Sequence, residues 1–108
     1  MFIAGSIEDK DKLIKLVEHF EIMGCVITRK WWKFTTDKEH NYPIYVEEDI
    51  KAIKECDLFV LFNTDKKTGG KYIEIGIAIA FNKPILIYGD NITSIYRSRV
   101  HCIREKLF

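Results

Sequence analysis

Residues 69 to 81, GGKYIEIGIAIAF, carry one carboxylate, Glu74, in a stretch that is otherwise almost wholly apolar. Desolvating a carboxylate is costly, so a lone Glu there pairs with a cation, faces water or serves catalysis. Lys71 is the nearest cation in sequence. Asp49 is the second carboxylate of interest. On a helix it shares a face with Ala52, Ile53 and Cys56 and leans toward the core. Electrostatic work at a helix N-terminus explains Asp49 equally well on spacing alone. Glu47 and Glu48 fit a solvated first turn, with Glu47 spaced to pair with Lys51.

Other stretches carry weaker signals. In GSIEDKDK, Gly5 lets a ligand approach the backbone and Ser6 opens a helix whose N-terminus can hold an anion. A tight turn and an N-cap account for the same two residues. TGGK, with Thr68, Gly70 and Lys71, is neither a Walker loop nor a dinucleotide fingerprint. Trp31, Trp32 and Phe34 can stack on a base or another planar ligand, or form a hydrophobic patch or subunit contact. Asp57 reads as a turn or capping residue.

The elements that must position these residues follow from hydrophobic pattern. FIAG at 2 to 5, CVIT at 25 to 28, DLFVLF at 57 to 62, KPILIY at 83 to 88 and VHCI at 100 to 103 read as strands. Ser6 and Asp9 form a capping-box-like start to a helix with Leu13, Leu16, Val17, Phe20 and Met23 on one stripe, closed by Gly24. RKWWKFTTDKEHNYP is long for a connection and reads as a functional loop or flap. A second helix runs from Val46 to Cys56.

Residues 72 to 81 alternate isoleucine with small residues, a strand signature, yet they lie between two strand candidates. A parallel pair needs a crossover, so this stretch is expected to be a helix. Its apolar character all round implies burial against the sheet and against another subunit, hence a homodimer or higher homo-oligomer. The whole is a single-domain, doubly wound α/β fold (Rossmann/flavodoxin-like), with a parallel sheet of about five strands flanked by helices. In such sheets ligands bind beyond the carboxyl ends of the strands. Gly5 and Ser6, residues 63 to 70 leading to Glu74, the aromatic loop, and Gly89 to Asn91 converge there.

The chain has 108 residues, 47% hydrophobic and 31% charged, with net charge +1. These values fit an ordinary soluble domain and argue against a nucleic-acid polymer as partner. No apolar run reaches the roughly 20 residues that span a bilayer, and no signal peptide is visible. Cys25, Cys56 and Cys102 are odd in number and read as reduced thiols of a cytoplasmic protein. His19, His40 and His101 show no ligand spacing, and neither metal nor cofactor is expected.

FIAGSI, EEDIKAIKECDLFVLF and GGKYIEIGIAIAFNKPILIYG together resemble the nucleoside 2-deoxyribosyltransferase family and its relatives, the 2′-deoxynucleoside 5′-phosphate N-hydrolases. The most specific part is Gly70, Glu74, Ile75, Gly76 and Ala78, followed by NKPILIYG. The resemblance implies that Glu74 is the nucleophile and that Asp49 assists near the departing base or sugar. Substrate contacts are expected from Phe2, Gly5, Ser6, Trp31, Trp32, Thr68, Gly70, Lys71 and Asn91, of which the flap tryptophans and Asn91 rest on stacking and on convergence at the sheet edge rather than on the resemblance. Phe2 stands where these enzymes often carry Tyr, and Thr68 where the transferases often carry Asp. Glu8 and Asp9 replace the Arg and Gly-rich phosphate loop of the nucleotide hydrolases, while Lys10, Lys12 and Lys71 remain as cations. The implied activity is deoxyribosyl transfer from a 2′-deoxynucleoside to a free base. The alternatives are hydrolysis of a deoxynucleoside 5′-monophosphate, or nucleotide sensing without turnover.

Overall fold

A computed structural model describes residues 1–34, 42–65, 70–89 and 101–103. Their strands are β1 (Phe2–Ala4), β2 (Phe59–Asn63), β3 (Ile85–Gly89) and β4 (His101–Ile103), and their helices α1 (Lys10–Ile22), α2 (Tyr42–Glu55) and α3 (Gly70–Ala80). The sheet is parallel throughout, in the order β1-β2-β3-β4. Phe2 lies opposite Phe59, which lies opposite Ile85.

Side chains alternate across a strand, so parity sorts the core. Phe2, Ala4, Phe59, Leu61, Ile85 and Ile87 meet Ala52 and Ile53 of α2, Cys56 just after it, and Ile75 and Ala78 of α3. Met1, Ile3, Val60 and Phe62 meet Leu13, Leu16, Val17 and Phe20 of α1 on the other face. Helices therefore cover both faces, which is why β1 and the run Phe59–Phe62 of β2 are apolar at every position.

Four strands are found among the described residues, against about five expected. Residues 25 to 28 form none. They lie along the outer edge of β1, where the Met1 nitrogen donates to the Val26 carbonyl at 2.8 Å. The Thr28 N–H donates to the Met1 carbonyl at 2.9 Å. Those two bonds are one step of a parallel ladder. The pairing goes no further because the Ile3 carbonyl, the next acceptor on that edge, accepts from the Trp31 indole N–H at 2.6 Å.

The helix boundaries have local causes. Ser6 accepts from the Glu8 N–H at 3.2 Å and caps a short 3-10 turn at Ile7–Asp9. The expected reciprocal cap from Asp9 does not form, because its carboxylate accepts from the Thr64 hydroxyl instead, at 2.6 Å. This ties the start of α1 to the end of β2. Gly24, at φ +93°, ends α1, with its own N–H bonded to the Glu21 carbonyl and that of Cys25 to the Phe20 carbonyl, both at 3.0 Å. That is a Schellman motif. Met23, expected on the buried stripe, is its exposed capping residue. Asn82, at φ 57°, ends α3 in the same way, and Pro84 prevents continuation.

The α3 segment is a helix despite the alternation of its isoleucines. Its buried residues, Lys71, Ile75 and Ala78, follow a helical period. Ile73 is 67% exposed, so the apolar character is not matched by burial on all sides within one chain. No helix among the described residues is long and apolar enough to cross a membrane.

Candidate active site

The helices α2 and α3 pack side by side on one face, bringing Asp49 and Glu74 to the same cleft. A cavity of about 320 Å³ beyond the carboxyl end of β1 is lined by Gly5, Trp31, Asp49, Gly70, Lys71 and Glu74, with Ile7, Val46, Ile50, Ile73 and Ile77 as its apolar walls. A second cavity, about 400 Å³, shares Ile7, Trp31, Val46 and Asp49 and adds Arg29, Phe34 and Tyr45. The shared wall makes these two lobes of one cleft. Each has the volume of a small-molecule site.

The charge sits unevenly in this cleft. Burial, and then the negative charge of Asp49, push the Glu74 carboxyl up to about 8. Among the described residues Glu74 has no ion pair. The alternative of an ion pair with Lys71 is thus not found among the described residues. Lys71 is fully buried, its ammonium 3.5 Å from the Thr64 carbonyl and 5.2 Å from the Tyr72 ring centre. Asp49 is raised by burial, but a hydrogen bond and the charge of Arg29 oppose the rise, and Glu48 adds to it. The Arg29 Nε donates to Asp49 Oδ1 at 2.7 Å, with the two side chains 13% and 26% exposed. The Arg29 guanidinium also lies 4.3 Å from the centre of the Phe34 ring.

The two tryptophans part company. Trp31 lines both lobes and is anchored by its indole N–H, which donates to the Ile3 carbonyl at 2.6 Å. Trp32, its edge-on neighbour, is 3% exposed and belongs to the core on the α1 face. Expected as a substrate contact, it lines neither lobe. In the 3-10 turn Trp31–Lys33, consecutive side chains point in different directions. Phe2 likewise lines neither lobe, being buried and stacked on Phe59 at 5.7 Å. Ser6 is buried as the cap already described. Gly5, Gly70 and Lys71 do line the cleft. At Gly5 a Cβ would press on both Leu13 methyls at 3.1 Å, so the backbone there stays bare. Thr68 and Asn91 lie outside the described residues.

Arg29 and Tyr45 were not singled out by sequence reasoning. The one signal available for Arg29 was its place at the start of an aromatic run. Its partner lies 20 residues away on a different element, which no spacing rule connects.

No family model and no curated protein matches the chain. Among solved structures, it is similar to the CMP N-glycosidase of Clostridium botulinum, at 26% identity and a TM-score of 0.69. The match covers 95% of this chain and 88% of that one. The likeness supports the superfamily of the resemblance and N-glycosidic bond cleavage in general, on an α/β fold with a parallel sheet flanked by helices.

Proposed function

We propose that the cleft cleaves the N-glycosidic bond of 2′-deoxynucleosides, with Glu74 attacking the anomeric carbon and the deoxyribosyl group then passing to a second base. The observation that carries this reading is the pair of carboxylates from different helices in one largely apolar cleft beside Trp31. An N-glycosidic bond breaks through an oxocarbenium-like transition state, which a carboxylate beneath it stabilises and traps. The Glu74–carbon bond forms as the carbon–nitrogen bond breaks, and the base leaves with that electron pair and takes a proton from solvent. A ring nitrogen of the acceptor base then bonds to the anomeric carbon as Glu74 departs with its electron pair as a carboxylate, and the acceptor gives its N–H proton to solvent. Positive charge developing at the sugar favours ionised Glu74 when it is needed, offsetting the cleft's tendency to keep it protonated. Trp31 offers an aromatic face to the base or sugar.

A second reading, hydrolysis of a nucleoside 5′-monophosphate, is favoured by the likeness to the CMP N-glycosidase. Against it, Lys71, the cation beside Glu74, is buried at the Thr64 carbonyl. The expectation is therefore that deoxynucleosides serve at least as well as their monophosphates. The test incubates the protein with nucleosides and 5′-monophosphates, each with and without an acceptor base, and separates products by chromatography. Free base or an exchanged nucleoside is expected from wild type and neither from Glu74→Gln. Turnover by Glu74→Gln, or none by wild type on any substrate, overturns the reading. A tenfold preference for monophosphates selects the hydrolase.

The same reading places a second copy of the chain on the outer side of α3, where Tyr72, Ile73 and Phe81 are exposed. Sedimentation at micromolar concentration should show a dimer or larger species, and a monomer there removes this proposal.

A further inference from the structure

Asp49 lines both lobes, Arg29 only one and Glu74 only the other. The shared wall thus sets an ion pair on one side against a lone carboxylate on the other. Guanidinium is always charged, and its Nε–H, donating to Asp49 Oδ1 at 2.7 Å, fixes that carboxylate in orientation as well as in charge. Arg29 is itself held, by Phe34 beneath its plane at 4.3 Å. Two carboxylates that act on one another in an apolar cleft resist ionising together, as the effect of Asp49 on Glu74 shows.

We propose that Arg29 is a positioning residue for the cleavage step: it clamps Asp49 as an oriented hydrogen-bond acceptor on the wall that the two lobes share. Asp49 then accepts a hydrogen bond from the substrate's base or sugar and is not the proton donor to the leaving group. This role rests on the N-glycosidic reading of the cleft, but the clamp itself is a property of the protein without substrate.

The charged groups acting on the pair come from each element around it. Arg29 and Glu48 act on Asp49, and Asp49 acts on Glu74. Lys71 lines the Glu74 lobe while bonded to the Thr64 carbonyl. Lys30, next to Arg29, pairs with Glu21 instead.

The test follows the side-chain carboxyl carbons of Asp49 and Glu74 by NMR against pH, in wild type, Arg29→Met, Arg29→Lys, Asp49→Asn and the double variant Arg29→Met with Asp49→Asn. In Arg29→Met the Asp49 midpoint should rise by about one pH unit or more, the usual effect of losing a nearby opposite charge. Arg29→Lys keeps the charge without the planar Nε–H donor and should cancel part of that rise. It also serves if Arg29→Met does not fold. In the Asp49→Asn background, Arg29→Met should leave the Glu74 midpoint within a few tenths of a unit. An unchanged Asp49 midpoint in both Arg29 variants overturns the clamp, as does an equal Glu74 shift with and without Asp49. Where turnover is measurable, the acid limb of kcat/KM should move with the carboxyl midpoints in Arg29→Met. Carboxyl midpoints that behave as expected in a protein without turnover would retain the clamp and discard the N-glycosidic reading. A limb that stays put while the midpoints move would overturn the positioning role.

Discussion

Under α1 the sheet meets Leu13, Leu16, Val17 and Phe20, with Trp32 beside them, whereas under α2 and α3 it meets Ala52, Cys56 and Ala78 between Ile53 and Ile75. Large side chains fill the first face, and the cleft lies on the second, between its helices. Two consecutive cations are divided between these regions. Lys30 pairs with Glu21 of α1 at 3.2 Å, with side chains 35% and 40% exposed, while Arg29 pairs with Asp49 inside the cleft. A pair in water gains little because solvent and salt screen it. An enclosed pair cannot lose one partner without stranding the other's charge. Cavity size does not make this distinction. The cavity of about 660 Å³ at the opposite end of the sheet is larger than either lobe, yet its Asp57 side chain is 94% exposed.

The largest expected effect breaks the cleft at Glu74. Its carboxyl ionises at about 8 in the folded chain against an ordinary 4.5. Between those values the folded state binds more protons than the unfolded state, so stability is fully present below about 4.5 and is lost as pH rises through about 8. Glutamine carries no such penalty. Glu74→Gln should abolish turnover. Its melting temperature relative to wild type should increase by several degrees between about pH 4.5 and about pH 9, on the order of a few kcal/mol. An equal difference at both pH values would mean that Glu74 is solvated and the cleft is not a low-dielectric site.

A smaller effect sharpens the coupling between the two helices. For an ionised nucleophile, kcat/KM should fall about tenfold for each pH unit below about 8. Asp49→Asn removes the charge that opposes Glu74 ionisation. It should slow the reaction and also move this limb to lower pH. A slower enzyme with an unmoved limb would make Asp49 a substrate contact with no electrostatic hold on Glu74.

What was legible in the sequence, and what was not, divides along the same line. FIA, FVLFN and ILIYG announce themselves as strands because both of their faces are covered, and Glu74 announces itself by the cost of a carboxylate among isoleucines. The helical state of α3 required topology, since its alternation of isoleucines alone reads as a strand. The strand expected at 25 to 28 fails on one local bond, the Trp31 indole N–H to the Ile3 carbonyl, which takes the next acceptor of the ladder. Trp31 and Trp32 look equivalent as letters. Only the 3-10 turn, with one indole N–H fixed to the Ile3 carbonyl, sends one to the cleft and the other to the core. Lys71 reads as a cation that keeps a phosphate possible, and tertiary packing buries it. Arg29 and Lys30 are likewise indistinguishable in sequence, because their partners are chosen by where the chain passes after Thr28.

That last pair gives the smallest expected effect and the sharpest control. Lys30 and Glu21 each stay more than a third exposed. Their attraction competes with hydration and with the entropy of holding two flexible side chains together. Glu21→Gln should therefore change stability by about 0.5 kcal/mol or less, fading further as salt is raised. It should leave the acid limb of kcat/KM where it is, because Glu21 lies on α1, across the sheet from the carboxylate pair. The measurement is thermal unfolding at low and moderate salt beside the pH profile of the same variant. A destabilisation of about 2 kcal/mol, or a displaced limb, would show that the α1 side feels the cleft's electrostatics and that the two faces are not independent.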